Sequence, residues 1–189
     1  MKKHIITLAG KPGSGKSSTG TQLARTLEYQ RFSMGDLQRK YSEDLGMDFA
    51  SYSEMQKTDH TIDKKIDEYQ REIGEVEDNF ILDSRLGWYF IPQSFKVLLD
   101  LSAEIAVDRI MKDMENNPTR KVEKVDTRED MIVAMNARID SEKIRYQDLY
   151  AIANHFDPNN FDLVVDTQQH SLEEVVDIIQ KAYEKWFQE

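Results

Sequence analysis

The sequence predicts an α/β fold in three layers, with a parallel sheet of about five strands and helices on both faces. Short apolar runs alternate with helical patterns along the chain, which is typical of parallel strands joined by right-handed crossovers. The first apolar run leads through a glycine-rich turn into a helical pattern. The chain has 189 residues, which fits one compact domain.

Four short runs of apolar and β-branched residues and one weaker segment, residues 30–33, predict the strands. A glycine or an aspartate lies at or just beyond the end of each, where a strand would turn. The run FKVLLDL is the clearest of them. The predicted strands cover residues 4–8, 30–33, 80–82, 95–101 and 162–165.

Six helices are expected around these strands. The stretch 51–74 is expected to form one helix, because apolar residues recur in it at helical spacing and Gly74 would cap its end. The predicted helices cover residues 15–28, 36–45, 51–74, 103–114, 129–153 and 172–186.

The composition excludes several classes of function. Hydrophobic residues make up 39% of the chain, which is enough to bury a core. Because 25 Lys and Arg stand against 35 Asp and Glu, the net charge is −10, and we expect neither a nucleic-acid polymer nor a membrane as partner. The chain has no cysteine, which excludes thiol catalysis and disulfides. We expect a cytoplasmic monomer that binds small molecules.

The segment GKPGSGKS fits the phosphate-binding pattern G-x-x-x-x-G-K-[ST], called the P-loop, at every fixed position. Its glycines let successive backbone N–H groups point at phosphate oxygens. Lys16 would reach the β- and γ-phosphates, and the Ser17 hydroxyl would ligate Mg²⁺. Neither D-x-x-G nor N-K-x-D occurs, which argues against a GTPase. The expected nucleotide-binding residues are Gly10, Lys11, Pro12, Gly13, Ser14, Gly15, Lys16, Ser17 and Ser18.

Arginines are expected around this loop, because phosphoryl transfer depends on positioning and on charge neutralisation. Arg138 and Arg145 are seven residues apart with Glu142 between them, so all three share one helix face. This spacing also fits a plain salt-bridged helix. The candidate arginines are Arg39, Arg85, Arg109, Arg138 and Arg145.

Three aspartates, Asp83, Asp100 and Asp166, end apolar runs, and the pattern does not choose a metal-facing acid among them. Asp63 and Asp67 are interpreted as surface charge on one helix face. The four histidines show no metal-ligand spacing and are interpreted as structural or surface residues.

A family resemblance is carried by seven segments in order: ITLAGKPGSGKSS, FSMGDLQRK, TIDKKID, ILDSRLGW, FKVLLDLSAEIAVDRI, RIDSEKIRY and FDLVVDT. Together they resemble the nucleoside monophosphate kinases, and most closely the short, archaeal-type cytidylate kinases. The resemblance covers nearly the whole chain and implies the P-loop NTPase fold. It implies one domain, with a core of about 1–35, 76–111 and 136–189, a helical acceptor-binding insert of about 36–75 and a helical lid of about 112–135.

The resemblance also implies roles for single residues. The catalytic set would be Lys16, Arg85, Arg109, Arg138 and Arg145. The substrate-binding set would be Ser33, Arg39, Asp63, Asp83, Arg85 and Arg145. Ser17 and Asp83 would hold the metal.

The chain departs from the family at three places. Asp83 stands where many archaeal-type members carry Glu. Bacterial-type members place an acid after the third-strand arginine to read cytosine, and here that position is Leu86. Asp113 stands in the region where the family often has a second basic lid residue. Two outcomes are open: the lid makes fewer phosphate contacts, or Arg120 or Lys121 supplies them.

The expected reaction is Mg²⁺-dependent transfer of a phosphoryl group from ATP to CMP or dCMP. Two alternatives stay open. One is a kinase for another small acceptor, such as AMP, UMP or a non-nucleotide metabolite. The other is a nucleotide-dependent switch protein.

Overall fold

A parallel five-stranded sheet forms the middle of the molecule in a computed structural model that describes residues 2–56, 58–116 and 127–188. The strands are β1 (Ile5–Gly10), β2 (Gln30–Ser33), β3 (Phe80–Asp83), β4 (Phe95–Asp100) and β5 (Leu163–Asp166). They pair in the order β2-β3-β1-β4-β5, and the four pairings are parallel. The predicted fold is confirmed.

Eight helices surround the sheet in the described part of the chain. They are α1 (Lys16–Leu27), α2 (Met34–Asp44), α3 (Phe49–Met55), α4 (Thr61–Val76), α5 (Gly87–Phe90), α6 (Ala103–Asn116), α7 (Arg128–Tyr150) and α8 (Leu172–Gln188). A 3₁₀ turn, Pro158–Asn160, precedes β5.

The central strand β1 is buried on both faces, because its alternate side chains enter two cores. Ile6 packs with Leu23 of α1 and Ile179 of α8. Ile5 packs on the other side, with Ile66 of α4. All six residues of β1 are buried, as is typical of strands in parallel sheets. Since β1 lies between β3 and β4, its carboxyl end is the point where the strand order reverses, and ligands of such sheets bind there.

The predicted single helix over residues 51–74 is wrong, because α3 and α4 share this stretch. Oδ1 of Asp59 accepts a hydrogen bond from the backbone N–H of Thr61 at 2.9 Å, and this turn starts α4. Gly74 does not cap the helix, since α4 continues beyond it. It lies where the helix packs on Ile91: a Cβ added to Gly74 would be 2.9 Å from Cγ1 of that side chain.

Other boundaries differ less. Helix α5 was not predicted, because four residues are too few to show a helical period. Helix α7 ends three residues before the predicted Ala153, where Ala151 adopts a left-handed φ of 58°. Within the predicted lid, residues 117–126, which include Arg120 and Lys121, lie outside the described residues. The domain boundaries stay predictions. In the part of the chain that is described, no helix is long and apolar enough to cross a membrane.

Candidate active site

The loop between β1 and α1 follows a backbone path that requires glycine. Gly13 has a φ of 78°, and a Cβ there would lie 2.6 Å from the backbone oxygen of Ala106. A Cβ on Gly10 would collide with the backbone oxygen of Leu99. The loop ends at Gly15, the N-cap of α1. Its N–H groups and the first turn of α1 therefore form a phosphate-binding concavity.

Lys16 begins α1 and folds back over the loop. Its Nζ donates to the carbonyl oxygens of Gly10 at 2.7 Å and Lys11 at 3.0 Å. Burial, together with the charge of the nearby Arg85, lowers the pKa of Lys16 to about 7. The negative charges near this ammonium do not compensate for its burial and for Arg85. A polyphosphate bound beside it would therefore favour its charged form.

Asp83, the last residue of β3, lies beside the loop. The Ser17 hydroxyl donates to its Oδ2 at 3.0 Å, and Nη2 of Arg31 donates to the same oxygen at 3.2 Å. Asp100 and Asp166 end β4 and β5, and their carboxylates bond to other groups. Of the three candidate acids, the structure therefore places Asp83 next to Ser17.

The loop opens onto a cleft of about 510 Å³ that is bounded by α2, α4, α6, α7 and the end of β3. Of the residues predicted for the site, Gly10, Lys11 and Ser14 do not line this cleft. Those that line it are Pro12, Gly13, Gly15, Lys16, Ser17, Ser18, Ser33, Arg39, Asp63, Asp83, Arg85, Arg109, Arg138 and Arg145. One cleft thus brings the loop together with the five candidate arginines.

Glu142, in the middle of α7, gathers two of these arginines. Arg85 Nε donates to its Oε2 at 3.0 Å, and Arg138 Nε donates to its Oε1 at 3.2 Å. Nε2 of the fully buried His155 lies 3.4 Å from Oε2. Burial alone would raise the pKa of Glu142, but these three groups hold it well below its ordinary value. The carboxylate is therefore ionised and fixes two guanidinium groups in place, which a surface salt bridge would not do.

Arg145, one turn further along α7, faces α4. Its Nε lies 3.7 Å from Oδ2 of Asp63, and the two side chains are 10% and 8% exposed. Asp63 also accepts a hydrogen bond from Nε2 of Gln56 at 3.2 Å, and Nδ1 of His60 lies 3.6 Å from it. The interpretation of Asp63 as surface charge is therefore wrong.

The other two candidate arginines belong to α2 and α6. Arg39 pairs with Asp36 one turn earlier in α2. Ser33 caps the same helix, since its Oγ accepts from the backbone N–H of Asp36 at 3.2 Å. Arg109 donates to Oγ1 and to the backbone oxygen of Thr167 at 3.0 and 2.6 Å, which ties α6 to the end of β5.

Sequence reasoning missed several polar residues of the cleft. Asp67, interpreted as surface charge, is 8% exposed, and Gln70 is 2% exposed. Both line the cleft, as does Ser84. The sequence did carry a signal for two of them. Gln70 lies four residues after Ile66 and Asp67 directly after it, so both fall on the same buried face of α4 as this apolar residue. Arg31, which holds Asp83, gave no comparable signal.

Comparisons with known proteins agree with this geometry. The family AAA_18, described as an AAA domain, matches residues 6–134. A cytidylate kinase of Halobacterium salinarum is 30% identical over 184 residues, which are 96% of this chain and 90% of that protein. An S-adenosylmethionine-dependent nucleotide dehydratase of Lacinutrix mariniflava is 33% identical over 97% of this chain, but the chain spans only 36% of that relative.

Among solved structures, a shikimate kinase of Bacteroides thetaiotaomicron superposes with a TM-score of 0.66 over 96% of this chain and 98% of its own. At 12% sequence identity, this likeness shows the fold alone. The fold and the loop define a P-loop kinase. The chain belongs to the cytidylate kinase family and is a nucleoside monophosphate kinase with ATP as its phosphoryl donor.

Proposed function

We propose that this kinase transfers the γ-phosphoryl group of ATP to CMP or dCMP, with Mg²⁺. The observation that carries the proposal is one cleft in which the P-loop meets five arginines, four from the helices α2, α6 and α7 and one from the turn after β3. Two polyanions held close together require this density of positive charge. The net charge of the chain is −10, so the arginines gathered in the cleft are a local feature of the site.

On the donor side, the N–H groups of residues 10–17 and the start of α1 would hold the β- and γ-phosphates. Lys16 would turn from the loop carbonyls to the phosphates. The lowered pKa of Lys16 supports this role. The ammonium is buried with little negative charge around it, and a bound polyphosphate would supply that charge and stabilise the protonated form.

The residues near Asp83 fit a magnesium ion. Mg²⁺ prefers hydroxyl, carboxylate, phosphate and water oxygens, and the Ser17 hydroxyl lies 3.0 Å from a carboxylate oxygen of Asp83. In a P-loop enzyme such a pair, with the phosphates, is the usual set of ligands. The bound ion would neutralise charge on the β- and γ-phosphate oxygens.

On the acceptor side, Arg39, Arg85 and Arg145 would hold the monophosphate in line with the γ-phosphorus, and Arg109 and Arg138 would neutralise the transferred group. An oxygen of the acceptor phosphate attacks the γ-phosphorus of ATP. The bond between the γ-phosphorus and the β–γ bridging oxygen breaks, so that ADP leaves. No covalent intermediate with the protein is needed. Closure of the cleft would exclude water, which is the competing acceptor.

The choice of CMP or dCMP is supported by the cytidylate kinase of Halobacterium salinarum. The relative named a nucleotide dehydratase also points to a nucleotide substrate. AMP and UMP are the competing acceptors, because the phosphate-binding groups described above do not read the base.

The test is a turnover assay with ATP and Mg²⁺ in which CMP, dCMP, UMP, AMP and GMP are supplied in turn. We expect CMP or dCMP to stimulate ADP formation far more than the others. Lys16→Ala is the control, and it should lose at least about 100-fold in turnover while the protein stays folded. Stimulation by UMP or AMP alone would overturn the proposed acceptor, and no stimulation by any monophosphate would overturn the reaction.

A further inference from the structure

The residue after Arg85 offers no hydrogen bond to a base. Leu86 is 3% exposed and lines the cleft with an apolar side chain. A base held in this cleft must therefore be read by polar groups from another element. Helix α4 presents such groups on the face that lines the cleft.

Two side chains of α4 are held in defined orientations there. Asp67 and Gln70 are one turn apart, so they are neighbours on the face that lines the cleft. The Tyr150 hydroxyl donates to Oδ2 of Asp67, which leaves Oδ1 as an acceptor. The Ser84 hydroxyl donates to Oε1 of Gln70, which turns the Nε2 donors away from Ser84. The pair thus presents an acceptor next to a donor.

This pattern complements one class of base. Cytosine presents an amino donor at N4 beside the acceptors N3 and O2, whereas uracil presents the acceptor O4 beside the donor N3–H. We propose that Asp67 accepts from the amino group of the acceptor base and that Gln70 donates to its ring nitrogen or carbonyl. The inference deepens the proposed function and rests on it. Adenine presents the same pattern, an amino donor at N6 beside the acceptor N1. The pair therefore selects cytosine and adenine against uracil and guanine, whose ring N–H lies beside a carbonyl acceptor.

The charge state of Asp67 suits this role. Burial raises its pKa to about 6, and Asp63 adds to the effect, whereas Tyr150, Arg71 and Arg145 oppose it. At pH 7.5 the carboxylate is therefore ionised and only accepts hydrogen bonds. A buried carboxylate that meets a uracil carbonyl would be left unpaired, and such a mismatch is how a polar site rejects the wrong substrate.

The test compares Asp67→Asn with wild type at pH 7.5, with kcat/KM measured for CMP and UMP. An asparagine amide can rotate to donate to O4 of uracil. We therefore expect the CMP-to-UMP ratio of kcat/KM to fall at least tenfold, through a loss with CMP and a gain with UMP. Gln70→Met is the second variant, and it should lower kcat/KM for CMP without raising it for UMP.

The matched control is Asp63→Asn, one turn earlier on the same helix. Because Asp63 pairs with Arg145, its loss should lower kcat/KM for all acceptors by a similar factor. If Asp67→Asn also lowers all acceptors equally, the base-reading inference is wrong while the kinase proposal stands. If the wild-type enzyme uses no monophosphate, the proposed function itself fails.

Discussion

The backbone forms one side of the cleft, and side chains form the other. The loop of residues 10–17 is shaped by its backbone, since side chains at Gly10 or Gly13 would strike the main chain of neighbouring elements. The opposite side, which we call the α4–α7 wall, is shaped by charged and polar side chains, most of them buried. The wall comprises Asp63, Asp67 and Gln70 of α4 and Arg138, Glu142 and Arg145 of α7.

The two sides of the cleft therefore respond differently to substitution. A backbone cradle binds any polyphosphate and tolerates few changes of sequence. A wall of ion pairs depends on partners from distant segments, and each partner that is removed leaves another buried charge uncompensated. We therefore expect substitutions in the loop to impair phosphate binding, and single substitutions in the wall to alter the choice of acceptor.

The largest expected effect comes from breaking the wall at its centre. Glu142→Gln leaves Arg85, Arg138 and His155 without their shared negative charge. We expect the free energy of unfolding at pH 7.5 to fall by about 3 kcal/mol, as for other buried ion pairs that lose one partner. Chemical denaturation measures this change, and Glu68→Gln, an exposed glutamate on α4, is the control.

The pH dependence sharpens this test. The pKa of Glu142 is lower in the folded protein than in the unfolded chain. The ionised carboxylate therefore stabilises the fold at pH values above its ordinary pKa, and this stabilisation is lost as the pH falls toward the folded-state pKa. The difference between wild type and Glu142→Gln should therefore shrink on the acid side. A variant as stable as wild type at pH 7.5 would show that the wall does not depend on this carboxylate.

The next effect comes from the loop. In Gly13→Ala the new Cβ would lie 2.6 Å from a backbone oxygen of α6, so the loop must shift. We expect ATP turnover to fall by at least about 100-fold, since a displacement of about 1 Å is enough for this loss. Gly46→Ala is the matched control: its φ is also positive, at 67°, but no atom lies within 4 Å of the added Cβ. It should lose about 1 kcal/mol of stability and keep its turnover. Equal activity of the two variants would contradict the view that the loop is set by its backbone.

The same contrast explains what could be predicted from sequence. The turn between β1 and α1 could be predicted because its backbone path depends on consecutive residues, and glycine at fixed spacing leaves a local signal. Four of the strands could be predicted for the same reason, since each contains an apolar run, whereas β2, with the sequence QRFS, gives only a weak signal. The break between α3 and α4 was missed, because Asp59 starts a helix through one hydrogen bond that no period reveals.

The wall could be predicted only in part. Arg138, Glu142 and Arg145 share a face by spacing, but spacing does not tell a buried network from a surface salt bridge. His155 reaches Glu142 from a loop after α7, and Asp67 meets Tyr150 from a position 83 residues away. Contacts of this length are set by the tertiary fold. The burial of Asp67 and Gln70 was the recoverable part, since their spacing matches the apolar face of α4.

The smallest of these effects has the opposite sign and comes from Asp67. Its pKa is raised from 3.8 to about 6, chiefly by burial, so the folded protein binds this proton more tightly than the unfolded chain. Between these two values the free energy of unfolding therefore falls as the pH rises. The shift of about two pKa units corresponds to about 3 kcal/mol at 1.4 kcal/mol per unit. Because the side chain faces the cleft and solvent screens part of its charge, we expect the buried charge to cost about 2 kcal/mol above pH 6.

Asp67→Asn removes this charge and keeps an oxygen for the Tyr150 hydroxyl. We expect the variant to be more stable than wild type by about 2 kcal/mol at pH 7.5 and almost equal to it at pH 4, as measured by denaturant unfolding at both values. An increase in the free energy of unfolding that does not change with pH would not come from the charge of Asp67. A decrease at pH 7.5 would show that the fold compensates this charge. If Asp67→Asn stabilises the protein and also weakens its discrimination between acceptors, the charge of Asp67 lowers stability but contributes to substrate recognition.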